Sequence, residues 1–272
     1  MDLHTRIKAP ESSFRWPFGE IYRYRELLWA MAYRDYRVKY AHTAVGLLWA
    51  LFQPLLMMML LGLAFGVVAP VQTEGVPRTL FMAAGMAAWS YCAVIIAESG
   101  HAIFAAQQMI RKVYFPRLII PASKAVTALI DLLTMLVVLV LLMLWYGHYP
   151  DWRLVFLPLF LLLILFTGLT LGIWMSALMV RFRDFKFIMP VILQVGMYAT
   201  PIAYPMTAVP ESLRRIMYLN PMSGVVEGMR WSLLGTGQFS PDSLWSLVVM
   251  ALLFVAGLKY FGEVEEVMSD LL

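Results

Sequence analysis

Charge is what this chain of 272 residues has least of: only 14% are Asp, Glu, Lys or Arg, against about 25% in soluble domains. That excludes a soluble domain of any size. A single cysteine, Cys92, excludes an intrachain disulfide. The four histidines, His4, His42, His101 and His148, contain no i, i+4 pair of the kind that holds zinc on a helix, so no metal site is expected. No GxxxxGK[ST] run occurs. Gly257-Leu-Lys259 is the nearest approach, and it lies within an apolar run, so the chain has no phosphate cradle of its own for ATP. Nor do the apolar stretches carry the succession of acids, histidines and broken ion sites that marks a carrier driven by protons or sodium. The first 43 residues are polar and lack the apolar core of a signal peptide, so no cleavage is expected.

In place of these features stands hydrophobicity: 61% apolar residues and a mean hydropathy of +0.74. A hydrocarbon core about 30 Å thick requires roughly 20 mostly apolar residues of helix, which alone satisfies its own backbone there. Six such stretches are predicted, at about Ala44–Ala69, Leu80–Glu98, Ala125–Trp145, Leu154–Val180, Phe187–Tyr204 and Ser243–Gly262. The fold class is therefore an all-α membrane protein. An N-terminal arm (1–43) carries an amphipathic interfacial helix at about 21–39, a transmembrane domain covers 44–262, and 263–272 form a tail. Basic residues concentrate in the arm, after the second stretch (Arg111, Lys112, Arg117, Lys124), after the fourth (Arg181, Arg183, Lys186) and at Lys259. With six crossings these segments share one side, which the positive-inside rule makes cytoplasmic, as are both termini. The net charge of +4 is thus topological and implies no nucleic acid.

Between 205 and 237 the chain is broken by Pro205, Pro210, Pro221, Gly224 and Gly228 yet stays apolar. Short re-entrant or interfacial helices on the outer side fit this pattern. In the arm, Ile21, Tyr24, Leu28 and Met31 recur at helical spacing, with Arg23, Glu26, Arg34 and Arg37 near the opposite face and Trp29 and Tyr33 near the apolar side. Such a helix lies along a lipid surface, or docks a partner through its charges. Asp131 sits about six residues into the third stretch and needs a partner. Lys124, seven residues earlier on roughly the same face, is out of reach, so that partner belongs to another helix or subunit. Gly62 with Gly66, and Gly168 with Gly172, place small residues where helices pack closely, within the chain or between copies.

Three segments carry a family resemblance: "KYAHTAVGLLWALFQP" (Lys39–Pro54), "RFRDFKFIMPVILQVGMYATPIAYP" (Arg181–Pro205) and "YLNPMSGVVEGMR" (Tyr218–Arg230). Together they resemble the membrane subunit of type-2 ABC exporters of polysaccharide, above all the permeases for lipid-linked O-antigen, with teichoic-acid exporters close by. The resemblance implies a homodimer in the bacterial inner membrane, joined to two copies of a separate ATPase that binds the ATP and Mg, with no cofactor in this chain. It implies an undecaprenyl-pyrophosphate-linked glycan as cargo. It assigns Trp89, Tyr91, Tyr198 and Tyr204 to an aromatic conduit, and the pyrophosphate to Arg34, Arg37 and Lys39 at the cytoplasmic mouth. ATPase coupling would fall to Arg23 and Glu26 on the amphipathic helix and to Gln107, Arg111, Lys112 and Arg117 in the turn after the second stretch. Rival readings are a drug or small-lipid efflux permease of the same superfamily and an intramembrane lipid-linked transferase. The second rival would need clustered acids or histidines at headgroup level, and Glu98 with His101 is the one such pair.

Overall fold

A computed structural model describes residues 18–40, 48–67, 73–236 and 240–271. All regular structure among them is helical, in the order α1 (Phe18–Arg23), α2 (Arg25–Tyr40), α3 (Leu48–Val67), α4 (Arg78–Ala105), α5 (Gln107–Lys112), α6 (Ile119–Trp145), α7 (Leu157–Arg181), α8 (Phe185–Ala199), α9 (Glu211–Met217), α10 (Pro221–Leu234) and α11 (Ser243–Leu271). Short 3-10 turns at Trp152–Phe156 and Met206–Ala208 precede α7 and α9.

Among the described residues four segments are long and apolar enough to cross a bilayer: Arg78–Ala105, Ile119–Trp145, Trp152–Arg181 and Ser243–Met268. Two shorter apolar helices, Leu51–Leu63 within α3 and Phe185–Ala199, lie where the first and fifth crossings were expected. At 1.5 Å per residue the 15 residues of α8 span about 22 Å, short of the full hydrocarbon core. The Arg6, Lys8 and Arg15 stretch of the arm lies outside the described residues.

α4 is the axis of the bundle. It is apolar on every face and packs against α6, α7, α10 and α3, as a helix without a polar side must. Its fit to α7 depends on the second glycine pair: a β-carbon at Gly168 would lie 2.7 Å from Ile95 Cδ1, and one at Gly172 2.9 Å from Ser99 Oγ. Small residues there let two backbones approach, so this pair serves packing within the chain. Gly62 has only Met82 Sδ near it, at 3.9 Å, and Gly66 lies where side chains are not described.

The Pro- and Gly-rich segment resolves into two short helices whose sequence signals have local causes. α10 opens with Asn220, whose side chain accepts from Met222 N at 3.0 Å, and with Pro221 at its first position, where a missing N–H costs nothing. It closes on Gly235 at φ 65°, the left-handed cap that glycine supplies. Gly224 admits the start of α11, its missing β-carbon 2.8 Å from Ser243 O, and Gly228 admits the ring of Phe160 from α7.

One expected boundary differs. The tail expected at 263–272 is a continuation of α11, which stays helical through Leu271. Its apolar residues keep the helical spacing Phe261, Val264 and Met268, all fully buried, so packing extends the helix past the apolar stretch.

Candidate functional site

Four places bear on function: the seat of α2, the turn around α5, the outer junction of α8 with α10, and the open face of α8.

α1 and α2 run as an almost continuous helix, since Tyr24 N donates to Glu20 O and Leu28 N to Tyr24 O. Met31 and Ala32 are buried, with Ile21, Tyr24, Leu27 and Leu28 packed beside them on the chain's own core. The helix therefore docks on protein along the side that the periodicity marked as apolar. Trp29 and Tyr33, placed near that side by sequence, are instead 62% and 63% exposed. They continue a stripe begun by Tyr22, 70% exposed, at the spacing i, i+7, i+11. Arg23, Glu26, Arg34 and Arg37 are exposed too, Glu26 and Arg37 along that stripe and Arg23 and Arg34 flanking it.

The contact of α2 with α6 is polar. On α6, Lys124, Thr127 and Asp131 share one face at i, i+3 and i+7, and each meets α2. Lys124 Nζ lies 2.7 Å from Asp35 Oδ2, Thr127 Oγ1 donates to Ala32 O at 3.2 Å, and Asp131 Oδ2 takes Lys39 Nζ at 2.8 Å. Tyr40 OH donates to the other Asp131 oxygen. Lys39 Nζ also reaches Glu98 Oε1 of α4, at 2.9 Å. Burial by itself would lower the pKa of Lys39, but the Glu98 and Asp131 carboxylates outweigh it and hold the ammonium above its ordinary value. The partner that sequence demanded for Asp131 is thus the end of α2, and the same docking pairs Lys124.

This arrangement commits Lys39 to the docking of α2. Its ammonium is spent on two carboxylates, so in this conformation it is not presented to a pyrophosphate. Arg34 binds Asp35 beside it on the same helix at 2.8 Å, and Arg37 is left exposed. Glu98 pairs with Lys39 rather than with His101, which is exposed. The acid–histidine pair that a transferase would use is not assembled here.

In the turn, α5 has no buried residue of its own. Arg111 and Lys112 are exposed, Gln107 is half-buried, and Arg117 is tied to α11 by its backbone N, which donates to Glu265 Oε1 at 3.1 Å, and by its guanidinium, which donates to Glu265 O.

At the other end of the bundle sits a cation that sequence reasoning counted only as a charge. Arg230 of α10 is 4% exposed. Its Nη1 donates to Pro201 O at 2.6 Å, its Nη2 to Ile202 O, and its Nε to Phe81 O at 3.1 Å, while the guanidinium carbon lies 3.7 Å from the Phe81 ring centre. A planar fork of five donors suits three carbonyls and a ring face at once. Those of Pro201 and Ile202 belong to the non-helical stretch after α8, so Arg230 satisfies backbone that no helix satisfies, and its third bond ties that stretch to the start of α4. Gly85 leaves room for it, since any β-carbon there would collide with Nη2. Asn220 Nδ2 adds bonds to Thr200 Oγ1 at 2.9 Å and Ala199 O at 3.3 Å. The signal in the sequence was an arginine in an apolar helix, two residues after a glycine.

The four aromatics assigned to a conduit separate. Tyr198 is 54% exposed on α8, in line with Phe187, Val191 and Val195. Tyr204 is half-buried and donates to Tyr198 O at 3.2 Å. Trp89 is buried against Gly196 of α8, where a β-carbon would lie 2.7 Å from its ring. Tyr91 is enclosed within the chain, its hydroxyl donating to Ala125 O of α6 at 3.1 Å. Only Tyr198 therefore presents most of its ring to an open face.

Among the described residues no cluster of His, Cys, Asp and Glu could hold a metal. Comparison with known proteins gives a consistent result. The family model described as ABC-2 type transporter matches residues 26–234. The chain is 32% identical over 205 residues to the O-antigen export system permease protein RfbA of Myxococcus xanthus, covering 75% of this chain and 78% of that protein. It is 27% identical over 249 residues to the O-antigen export system permease protein RfbA of Klebsiella pneumoniae, covering 91% of this chain and 95% of that one.

Proposed function

The chain belongs to the ABC-2 type transporter family, and from that premise we propose that it is the permease subunit of an ATP-driven exporter of O-antigen. The observation that carries this reading is its likeness to O-antigen permeases over nine-tenths of its length, with a third of residues identical across three quarters of it. Its cargo is then an undecaprenyl-pyrophosphate-linked glycan crossing the bacterial inner membrane. Two copies of this chain join two copies of a separate ATPase, and ATP and Mg are held by that partner. The absence of a phosphate loop from the sequence agrees with this division of labour.

On this reading α3 and α8 complete six crossings, α3 with Pro54 inside it and α8 spanning locally thinned bilayer or lying against a second subunit. Both termini, α1, α2 and α5 face the cytoplasm, and α9 and α10 dip in from the outer side. The exposed charges Arg23, Glu26, Arg111 and Lys112, with Gln107, receive the ATPase, and Arg117 conveys its movement. Arg37, with Arg34 beside it, receives the pyrophosphate, because a guanidinium fork matches phosphate oxygens. Tyr198 and Tyr204, on or next to the open face of α8, offer ring surfaces to sugars. The cation already saturated by carboxylates, Lys39, acts instead in holding α2.

Removal of the gene from its host tests the proposal. The expected phenotype is loss of surface O-antigen with accumulation of lipid-linked glycan on the cytoplasmic side, reversed by the intact gene. Normal surface glycan together with a new drug sensitivity would favour an efflux permease and overturn it.

A further inference from the structure

The turn that carries α5 leans on the bundle through half-buried Met109 and Ile110 alone among its apolar residues. No residue of Gln107–Lys112 is fully buried, and the link that follows, from Val113 to Leu118, is not helical. A push on the turn reaches the bundle only as well as it is held to what it leans on. What lies beneath it is the cytoplasmic end of α11, beyond the apolar part of the last crossing.

That end is built as a seat. Phe261, Val264 and Met268 fall on one face and are fully buried, in one cluster with Phe115 and Leu118 of the link, Ala106 before α5 and Met31 of α2. Beside Val264 stands Glu265, whose carboxylate accepts Arg117 N at 3.1 Å and whose carbonyl accepts the Arg117 guanidinium. One residue of α11 thus grips the link twice, through backbone and side chain. The opposite face carries Glu263 and Glu266, both exposed. A free tail has no reason to segregate its residues in this way.

We propose that residues 261–268 of α11 are the seat that makes the α5 turn and α2 one rigid body, with Glu265 as the positioning residue that locks Arg117 onto it. The proposal builds on the reading of that turn as the ATPase-facing element, and adds the helix end that turns a local push into movement of a crossing. Two directional hydrogen bonds suit this task better than apolar contact alone, because they fix register and direction while the cluster supplies area.

Hydrogen–deuterium exchange on the full-length chain in lipid nanodiscs tests it without any partner. Glu265→Ala is expected to speed exchange in peptides covering 107–117 by roughly tenfold while the interior of α6 stays protected, and Glu266→Ala is expected to leave the turn unchanged. In the complex with the ATPase subunit, Glu265→Ala should cut the ratio of glycan-stimulated to basal ATP hydrolysis by about fivefold or more. If Glu265→Ala does not yield folded protein, Glu265→Gln keeps an acceptor oxygen and drops the charge, and exchange between wild type and that of Arg117→Ala is expected. Unchanged exchange at 107–117 in the Glu265 variants overturns the seat. So does an equal change in Glu266→Ala, which would make this helix end a docking face. A wild-type complex whose ATPase ignores lipid-linked glycan would count against the proposed cargo and leave the exchange result standing.

Discussion

Two cations toward opposite ends of α4, half-buried Lys39 at the end that the proposed function makes inner and sealed Arg230 at the end it makes outer, are held in opposite ways. Lys39 lies between two carboxylates on different helices, Glu98 of α4 and Asp131 of α6, with its side chain 30% exposed. Arg230 is sealed and bound by three backbone carbonyls and an aromatic face. Carboxylates on side chains can turn, and water stands ready to replace them. Carbonyls fixed in a buried bend can do neither. The inner site is therefore a joint that can open, consistent with its place under an element read as receiving a mechanical stroke. The outer site is an anchor that keeps α10, the end of α8 and the start of α4 in one piece.

The sharpest way to break this contrast is Arg230→Ala. It strands the non-helical carbonyls of Pro201 and Ile202 at about 1–3 kcal/mol each, and with the lost tie to α4 that is a large part of a domain's margin of stability. Loss of monodisperse protein in detergent is the expected outcome. Arg230→Lys, with one compact ammonium, should recover only part of it. An Arg230→Ala protein as heat-stable as wild type would dissolve the distinction. At the inner joint Lys39→Met should cost about 1–3 kcal/mol, at the low end because the site is partly wet. In a cycle with Asp131→Asn the two changes should be non-additive by about 0.5–3 kcal/mol in thermal unfolding. The stabilisation from Lys39 is complete below the ordinary lysine pKa of 10.5 and is lost only as pH rises through the higher value of the folded state, so it does not vary near neutrality.

The same contrast governs what sequence could reveal. Periodicity and length found the long helices, because an apolar residue every third or fourth place has one physical cause. It also singled out Asp131 as a group needing a partner, and placed Lys124 on its face. It could not name Asp35, Lys39 or Tyr40 as the answers, since those lie about ninety residues away in the chain and nothing local encodes the meeting. For Lys39, assigned by resemblance to a pyrophosphate site, the pairing with Glu98 and Asp131 is a second engagement that no local pattern marks. Arg230 was invisible for another reason. Its partners are backbone carbonyls, which every residue carries and no pattern marks. The broken segment was legible as broken, through Pro205, Pro210, Pro221, Gly224 and Gly228, but which helix each glycine admits came only from the packing. At the end of α11 the sequence shows Glu263, Glu265 and Glu266 first, and the face that packs emerges only when buried Val264 among them and Met268 beyond them are counted with Phe261.

Two smaller effects sharpen the picture of the inner joint. Asp35→Asn leaves Lys124 without its counter-charge beside a span, and should cost about 1–2 kcal/mol. It should also loosen α2 in hydrogen exchange while α10 is untouched. Arg37→Ala is the smallest change in stability, within about 0.5 kcal/mol, because the side chain is exposed on a helix whose docking it does not share. Its effect should appear only with cargo present, as weaker binding of lipid-linked substrate and reduced substrate-stimulated ATP hydrolysis by the complex. A drop in stability equal to that of Lys39→Met would mean that Arg37 helps hold α2. Unchanged substrate binding and unchanged stimulation would remove it from the pyrophosphate site, leaving the exposed guanidinium as one more charge on the open side of α2.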